Sequence, residues 1–215
     1  YYSALMHHHS NTVGILGGGV GGLFTGALLA KEGYQVTILE QLPVYGGGLY
    51  SFTRDGEEWA SGVHFLSGMQ SDGLLRNILD SLGISIPVEP TTFDHIPADL
   101  IGEAEWEKTG AQAYRIIGGS MQLADQLAIY ICRHGGRILS GQKVESLTQD
   151  QGTFVVSTSE KSYRFEQVVS TLHPKQFLAL TTLPVYRPAT IKRILSTPDT
   201  FGTFKRYIRP KPDTL

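Results

Sequence analysis

The sequence contains very little cysteine and no long stretch of one charge. Its 215 residues include a single cysteine, Cys132, and carry a formal net charge of −2. One cysteine excludes an internal disulfide and any metal cluster held by cysteines, and the apolar pattern around Cys132 predicts a small buried side chain. Without a Lys/Arg stripe the chain lacks the electrostatic footprint of a nucleic-acid-binding protein. We therefore expect no nucleic-acid partner. The single cysteine fits, without requiring, a reducing compartment, so we expect a cytoplasmic protein that is free or peripheral to a membrane.

Long apolar runs and metal-ligand spacings are also missing. The longest apolar stretch, residues 13–30, is interrupted by glycines and followed by Lys31 and Glu32, whereas a membrane-spanning helix needs about 20 mostly apolar residues. Three consecutive histidines at positions 7 to 9 could bind a metal, but such a run is typical of a purification tag. We interpret residues 1–11 as a tag or disordered N-terminus and predict no metal site.

Glycine, by contrast, is abundant and gathers in two places, at residues 17–22 and 46–48. The first cluster follows the apolar residues 13–16, which suit a buried parallel strand. Residues 21–33 predict a helix that ends at Gly33, and Gln35–Leu39 predicts a second strand. A strand, glycine turn, helix and strand within about 30 residues predict one βαβ unit.

The first glycine cluster carries a dinucleotide-binding pattern. Its G-x-G-x-x-G glycines permit a tight turn, a close approach of a pyrophosphate and close helix–sheet packing, and the helix start supplies free N–H groups. Glu40 lies 18 positions after Gly22 and suits a carboxylate that binds ribose hydroxyls. The alternative is a glycine-rich turn beside a surface glutamate. The predicted contact residues are Gly17, Gly19, Val20, Gly21, Gly22, Glu40 and Gln41.

The second glycine cluster bears on which dinucleotide is bound, because NAD and FAD share the ADP half. Gly46 and Gly47 lie six and seven residues after Glu40, close enough for the chain to return to the dinucleotide site that the first glycine cluster predicts. Two adjacent glycines there would let the backbone approach a bulky cofactor. On spacing alone, an ordinary flexible loop explains them equally well.

The remaining chain predicts further elements of an α/β protein. A hairpin over residues 51–59 turns at Asp55-Gly56, an amphipathic helix closes at Gly83, and residues 87–112 follow no regular pattern. Residues 114–117 predict a strand, and the apolar stripe after it predicts a helix ended by Gly135. Further strands are predicted at 137–139 together with 143–147, 153–158, 163–165 and 168–171, followed by helices at 174–180 and 189–195.

These residues resemble a known family. The glycine pattern, with Gly33, Val36, Glu40 and the pair at 46–47, resembles the N-terminal signature of FAD-dependent amine oxidase and phytoene desaturase-type flavoproteins. Residues 46–52 and 59–65 are similar to the branch that holds retinol saturase and carotenoid isomerase. Residues 114–119 resemble the segment that returns to the FAD domain of that family. The resemblance covers residues 12–83 and 114–180.

The resemblance implies a fold and a division into domains. It implies an α/β fold in which a three-layer, FAD-type Rossmann domain combines a parallel sheet with a β-meander. Residues 12–85 and 114–182 would form this FAD/NAD(P)-binding domain, and residues 86–113 and 183–215 a partial substrate region. Val144 would lie against the adenine end of the cofactor. His64 would lie near the flavin and substrate, although a hydrogen-bonded histidine in a packed loop is the simpler interpretation.

The resemblance also implies a function. It implies an FAD-dependent oxidoreductase that acts by hydride transfer on an apolar, polyene-like small molecule, as a desaturase, saturase or isomerase, with peripheral membrane contact. Three departures weaken this expectation: Gly48 stands where many members have arginine, the segment 86–113 is short, and the chain ends at Leu215. A truncated or non-catalytic dinucleotide-binding module is therefore an alternative. An NAD-dependent dehydrogenase is another, because Glu40 suits NAD equally.

Overall fold

A computed structural model describes residues 11–63, 65–91 and 113–199. The chain divides into two compact units, Tyr1–Leu183 and Pro184–Leu215. The expectations for the N-terminal tag, for His64, for most of the segment 86–113 and for the C-terminal residues from 200 onward lie outside the described residues.

Strands dominate the first unit. Its first half contains β1 (Thr12–Leu16), α1 (Val20–Lys31), β2 (Gln35–Leu39), a 3₁₀ turn (Gly47–Leu49), β3 (Ser51–Arg54), β4 (Glu57–Ala60), α2 (Leu74–Ser81) and β5 (Val88–Thr91). Its second half contains β6 (Ala113–Ile116), α3 (Met121–Arg133), β7 (Arg137–Leu139), β8 (Val144–Asp150), β9 (Thr153–Thr158), β10 (Ser162–Phe165), β11 (Gln167–Ser170) and α4 (Pro174–Leu180). The second unit contains α5 (Pro188–Ser196).

A parallel sheet with the strand order β11-β1-β2-β7 forms the centre of the first unit. The register pairs Leu16 with Leu39 and with Ser170, so the carboxyl ends of three strands lie together. The predicted βαβ unit and the returning strand near 168–171 are both present. Residues 137–139 differ from expectation: β7 joins this sheet, with Leu139 beside Leu39, instead of pairing with residues 143–147. Its apolar residues extend the sheet next to β2, whereas β8 pairs with β9.

The two faces of the parallel sheet are covered by different layers. On one face, Ile15 and Ile38 pack in a buried cluster with residues of α1 and α3, such as Leu23 and Ile131. On the other face, Leu16 and Leu39 belong to a second cluster that includes residues of the antiparallel sheet β10-β9-β8, namely Leu147, Val156 and Phe165. Because side chains alternate along a strand, one strand serves both clusters. This is the three-layer α/β fold with a β-meander that was expected.

Gly14, in the middle of β1, makes close packing of the meander possible. A Cβ atom on Gly14 would lie 2.4 Å from a carbon of the Phe165 ring. Phe165 is 4% exposed and closes the second cluster between β1 and the meander. The glycine therefore lets a large aromatic side chain lie flat against the backbone of the sheet.

Smaller features complete the unit. The predicted hairpin is present as β3-β4, and its turn residues Asp55 and Gly56 both have positive φ, as a two-residue hairpin turn requires. Cys132 contradicts its prediction, because its side chain is exposed. The buried stripe of α3 runs through Leu127, Ala128 and Ile131, so the next residue faces outward. Among the described residues, no helix has the length and apolar character needed to cross a membrane.

Candidate nucleotide-binding site

The first glycine turn connects β1 to α1 at the carboxyl edge of the sheet. Gly17 follows β1 with φ of 104° and donates its N–H to the Leu39 carbonyl oxygen at 2.9 Å. Gly19 is extended and precedes α1, and its carbonyl oxygen accepts the first helical hydrogen bond from Leu23 at 3.0 Å. The N–H groups of the first helical turn have no acceptor within the helix. This arrangement gives an anion-binding helix start directly at the strand end.

Gly22 brings the helix close to the turn. A Cβ atom on Gly22 would lie 1.9 Å from the Gly17 carbonyl oxygen, a distance that no side chain permits. The oxygen of Gly17 thus points toward the helix. The neighbouring Gly21 is different, since the nearest atoms to a Cβ there would lie 3.9 Å away. Close helix–turn packing therefore depends on one glycine of the pair.

Glu40 ties the end of β2 to the first glycine turn. Its carboxylate is 8% exposed and accepts hydrogen bonds from Gly18 N–H at 2.7 Å and from Leu42 N–H at 2.9 Å, one on each oxygen. Each carboxylate oxygen keeps a further lone pair for a ligand. Two backbone donors therefore hold the carboxylate in one orientation at the edge of the turn.

The second glycine loop packs directly on the first. Gly46 N–H donates to the Gly18 carbonyl oxygen at 2.8 Å, and Gly19 forms a parallel bridge with Gly46. A Cβ atom on Gly47 would lie 3.0 Å from Gly19 Cα, and both Gly46 and Gly47 have positive φ. The second loop could not carry larger side chains at these two positions without strain. The two glycine clusters, separate in sequence, form one structure.

Helix α3 anchors the second glycine loop at both of its ends. Tyr45 donates its hydroxyl to the Asp125 carboxylate at 2.9 Å, and the buried Ser120 donates to the Leu49 carbonyl oxygen at 2.9 Å. Burial, followed by the hydrogen bond and charge of Asp125, raises the pKa of Tyr45 from 10.0 to about 12. The loop is thus held by the same helix that packs against α1.

A cleft of about 270 Å³ opens beside Glu40 at the carboxyl ends of β1 and β2. Ligands of α/β sheets characteristically bind in such a position. Predicted residues Gly17, Glu40, Gln41 and Val144 all contribute to its walls. Its remaining lining residues are Leu16, Leu39, Lys143, Leu172, Gln176, Ala179 and Leu180.

A second cleft, of about 350 Å³, lies beyond the second glycine loop. Val63 connects the two, because its N–H donates to the Gly48 carbonyl oxygen at 2.7 Å. An ion pair between Arg115 and Glu89 lies in the cleft wall. The other lining residues are Ala60, Val63, Phe65, Leu66, Ile116, Ile117, Gly118, Gly119 and Ser120.

The structure brings most of the predicted site residues together. Gly17, Glu40, Gln41 and Val144 line the first cleft, and the second glycine loop joins the first through the hydrogen bond from Gly46 to Gly18. Sequence reasoning missed the contribution of α4, which places Gln176, Ala179 and Leu180 at the first cleft. It also missed Thr171, which touches the glycine turn. The prediction that residues 168–171 return to the sheet was the available signal, since whatever follows such a strand must emerge beside β1.

The geometry fits a dinucleotide. The turn exposes a helix start and carries no side chain where a phosphate would approach, since a Cβ on Gly19 would meet nothing closer than Gly47 Cα at 4.0 Å. A buried carboxylate stands at the cleft beside the turn. The helix start suits an anionic group, the carboxylate suits hydroxyl groups, and the apolar cleft walls suit an aromatic ring. An ADP moiety carries all three kinds of group.

Comparison with known proteins gives two family matches. Residues 15–82 match the NAD(P)-binding Rossmann-like domain, and residues 98–200 match the flavin containing amine oxidoreductase family. An all-trans-retinol 13,14-reductase from Rattus norvegicus is 38% identical over 68 residues, which are 32% of this chain and 11% of that protein. The enzyme of that name from Danio rerio is 32% identical over 117 residues, 53% of this chain and 18% of that protein.

Among solved structures, a protein from Pyrococcus furiosus has a similar fold, with a TM-score of 0.72 and 19% identity over 87% of this chain and 66% of that one. The matches to the two reductases span less than a fifth of their length. The two family matches follow one another along the chain, and the second names the flavin cofactor. Together with the relatives, these matches support the flavin oxidoreductase superfamily for this chain, with FAD as its cofactor.

Proposed function

We propose that this chain forms the FAD-binding part of an oxidoreductase that acts by hydride transfer on an apolar, polyene-like molecule. The observation that carries the proposal is the contact between the two glycine loops beside the carboxylate of Glu40. The hydrogen bond from Gly46 to Gly18 joins the loop expected for a flavoprotein to the glycine turn that NAD- and FAD-binding Rossmann folds share.

Each predicted residue takes a role in this proposal. The N–H groups at Val20, Gly21 and Gly22 bind the pyrophosphate at the start of α1, and Glu40 accepts hydrogen bonds from the ribose hydroxyls. Gln41 and Val144 line the adenosine side of the first cleft. The path of the cofactor is kept free of side chains by four glycines, namely Gly17, Gly19, Gly46 and Gly47.

When bound, the flavin supplies the hydride chemistry, so the protein needs no nucleophile of its own. The chain's task is then to bind, orient and shield. The apolar walls of the second cleft, among them Val63, Phe65 and Leu66, would exclude water from the reacting end of the cofactor. His64 lies between two of these residues in sequence, so we keep it as a proposed neighbour of the substrate.

Support for a polyene-like substrate comes from the two relatives, both of which are named as reductases of all-trans-retinol. A long apolar substrate would also draw the protein to a lipid surface, because such molecules partition into membranes. We therefore include peripheral membrane contact in the proposal. Flotation of the FAD-loaded chain with phosphatidylcholine vesicles tests it, and recovery of all protein in the unbound fraction would exclude it.

The cofactor assignment is tested by parallel titrations with FAD and NADH, in which the fluorescence of the protein reports binding. We expect saturable binding of FAD and much weaker binding of NADH. Glu40→Gln is expected to weaken FAD binding about tenfold or more, since hydrogen bonds to a charged group contribute about 1.5–3 kcal/mol. Glu32→Gln is the matched control, because that glutamate is exposed at the end of α1. A preference for NADH would favour the dehydrogenase alternative.

The activity is tested under anaerobic conditions with the FAD-loaded chain after chemical reduction. Mixing with all-trans-retinol should restore the oxidised flavin band near ~450 nm if the polyene accepts a hydride. A reverse experiment starts from oxidised flavin and a saturated analogue. If the flavin responds in neither direction, the activity proposal fails while the binding proposal stands.

A second candidate function is a non-catalytic dinucleotide-binding module. It is favoured by the match of residues 15–82 to the NAD(P)-binding Rossmann-like domain, since these residues include Glu40 and both glycine loops. Tight binding of both FAD and ADP without any substrate-linked change of the flavin spectrum would select this candidate.

A further inference from the structure

Thr171 contacts the first glycine turn from a position 154 residues away in the chain. Strand β11 runs parallel to β1 and pairs Ser170 with Leu16, so the next residue emerges beside Gly17. The Thr171 N–H donates to the Leu16 carbonyl oxygen at 3.0 Å. Its single hydroxyl hydrogen is shared, in a bifurcated hydrogen bond, between the same oxygen at 3.0 Å and the Gly17 carbonyl oxygen at 3.3 Å. One side chain thus connects the returning strand to the turn.

The glycines of the turn leave the space that Thr171 occupies. A Cβ atom on Gly17 would lie 2.8 Å from the Thr171 Oγ1, and one on Gly22 would lie 3.4 Å from it. A Cβ atom on Gly21 would lie 3.9 Å from the Thr171 methyl carbon. Three glycines of the turn therefore face the same threonine.

The contact between Thr171 and Gly17 matters for ligand binding because it affects where the Gly17 carbonyl oxygen points. Its oxygen lies toward Gly22, at 1.9 Å from the ideal Cβ position there, and the Thr171 hydroxyl holds it. A carbonyl oxygen turned into the crevice would place partial negative charge near a phosphate and repel it. With the oxygen held on the helix side, the N–H groups of α1 remain the nearest dipoles to the anion.

We propose that Thr171 is a positioning residue for the phosphate-binding turn, acting through the carbonyl groups of Leu16 and Gly17. This inference rests on the proposed function, in that the ligand held by the turn is the pyrophosphate of FAD. Thr171 itself need not touch the cofactor. The hydrogen bonding of its hydroxyl positions the turn, so a side chain of the same shape without a donor should not replace it.

The test compares three variants of the full chain. Thr171→Val keeps the shape and removes the donor, whereas Thr171→Ser keeps the donor and removes the methyl group. Thr12→Val is the matched control, because Thr12 lies at the opposite end of β1, where its hydroxyl oxygen accepts a hydrogen bond from Glu166 N–H at 3.1 Å. Affinities for FAD and for ADP are measured by titration, and folding is checked by circular dichroism.

We expect Thr171→Val to weaken the binding of both FAD and ADP about three- to tenfold, which is the range of affinity that one neutral hydrogen bond accounts for. Thr171→Ser and Thr12→Val should bind as the unchanged chain does. Equal affinity of Thr171→Val and the unchanged chain would overturn the inference. An equal loss in Thr12→Val would also overturn it, because the effect would then be a general weakening of the β1–β11 pairing.

Hydrogen exchange on the ligand-free chain separates this inference from the FAD assignment. Thr171→Val should accelerate exchange in peptides that cover residues 17–23, and Thr171→Ser should not. If the unchanged chain fails to bind FAD, the proposed function fails, and the exchange data still decide whether Thr171 holds the turn. Unchanged exchange in Thr171→Val would show that it does not.

Discussion

At the scale of single residues, the site depends on which glycines are closely packed. Gly21 and Gly22 are adjacent in sequence, yet only a Cβ atom on Gly22 would collide with backbone, at 1.9 Å from the Gly17 oxygen. The G-x-G-x-x-G spacing predicts this difference, because its third glycine is the one that contacts the turn.

Gly22→Ala should therefore separate α1 from the turn and abolish measurable FAD binding, with a loss of about 2 kcal/mol or more in the free energy of unfolding. Gly21→Ala is the control. It should fold at least as stably as the unchanged chain, since alanine is about 1 kcal/mol better than glycine in a helix. Chemical denaturation and FAD titration measure both quantities, and equal behaviour of the two variants would contradict the packing described here.

Tyr45 is the residue from which a pH dependence follows. Its pKa is raised from 10.0 to about 12 by burial and by its hydrogen bond to Asp125. A raised folded-state pKa stabilises the protein below pH 10, and the contribution is lost as the pH rises from 10 to about 12.

The difference in melting temperature between the unchanged chain and Tyr45→Phe should accordingly shrink over that interval. Tyr163→Phe is a suitable control, because Tyr163 donates to an amide oxygen of Gln142 rather than to a carboxylate. A constant difference between the unchanged chain and Tyr45→Phe at all pH values would mean that folding does not raise the pKa of Tyr45.

At the scale of elements, helix α3 connects the core to the second glycine loop. Ser120 is 6% exposed and supplies the hydroxyl that satisfies the Leu49 carbonyl oxygen. Ser120→Ala should cost about 1–3 kcal/mol in the free energy of unfolding and weaken the binding of both FAD and ADP, because the second loop packs directly on the first. Ser81→Ala, which removes an exposed hydroxyl contact to Ile78, should change neither affinity.

The packing of β1 against the meander gives a second prediction at the scale of elements. Gly14→Ala should destabilise the chain, because its Cβ atom would lie 2.4 Å from the Phe165 ring. Overpacking of this kind costs about 1–3 kcal/mol. Combining it with Phe165→Leu should recover part of the loss, and a double-mutant cycle measures the coupling. Simple additivity of the two changes would show that the layers do not meet at Gly14.

At the scale of the whole molecule, the sequence predicted those features that depend on neighbours in the chain. The βαβ unit, the hairpin turn at Asp55-Gly56 and the position of Glu40 all follow from local periodicity and spacing. The resemblance to flavoproteins added the three-layer arrangement, which the two buried clusters and the comparisons bear out.

Features that depend on distant parts of the chain were not predictable in this way. The exposure of Cys132 is decided by the rotation of α3 against the sheet, and the space for Phe165 is decided by a glycine about 150 residues earlier. Thr171 and α4 reach the site only because β11 pairs with β1. No local pattern distinguishes such contacts from ordinary surface positions.

An absorption spectrum decides whether the chain binds FAD across the two glycine loops. The purified chain is mixed with FAD, freed of excess cofactor and measured from about 300 to 550 nm beside Gly22→Ala, since the isoalloxazine ring of FAD is the chromophore. We expect bands near ~370 and ~450 nm that stay with the unchanged chain and are lost in the variant. A colourless unchanged chain, or equal retention of FAD by both proteins, would contradict it.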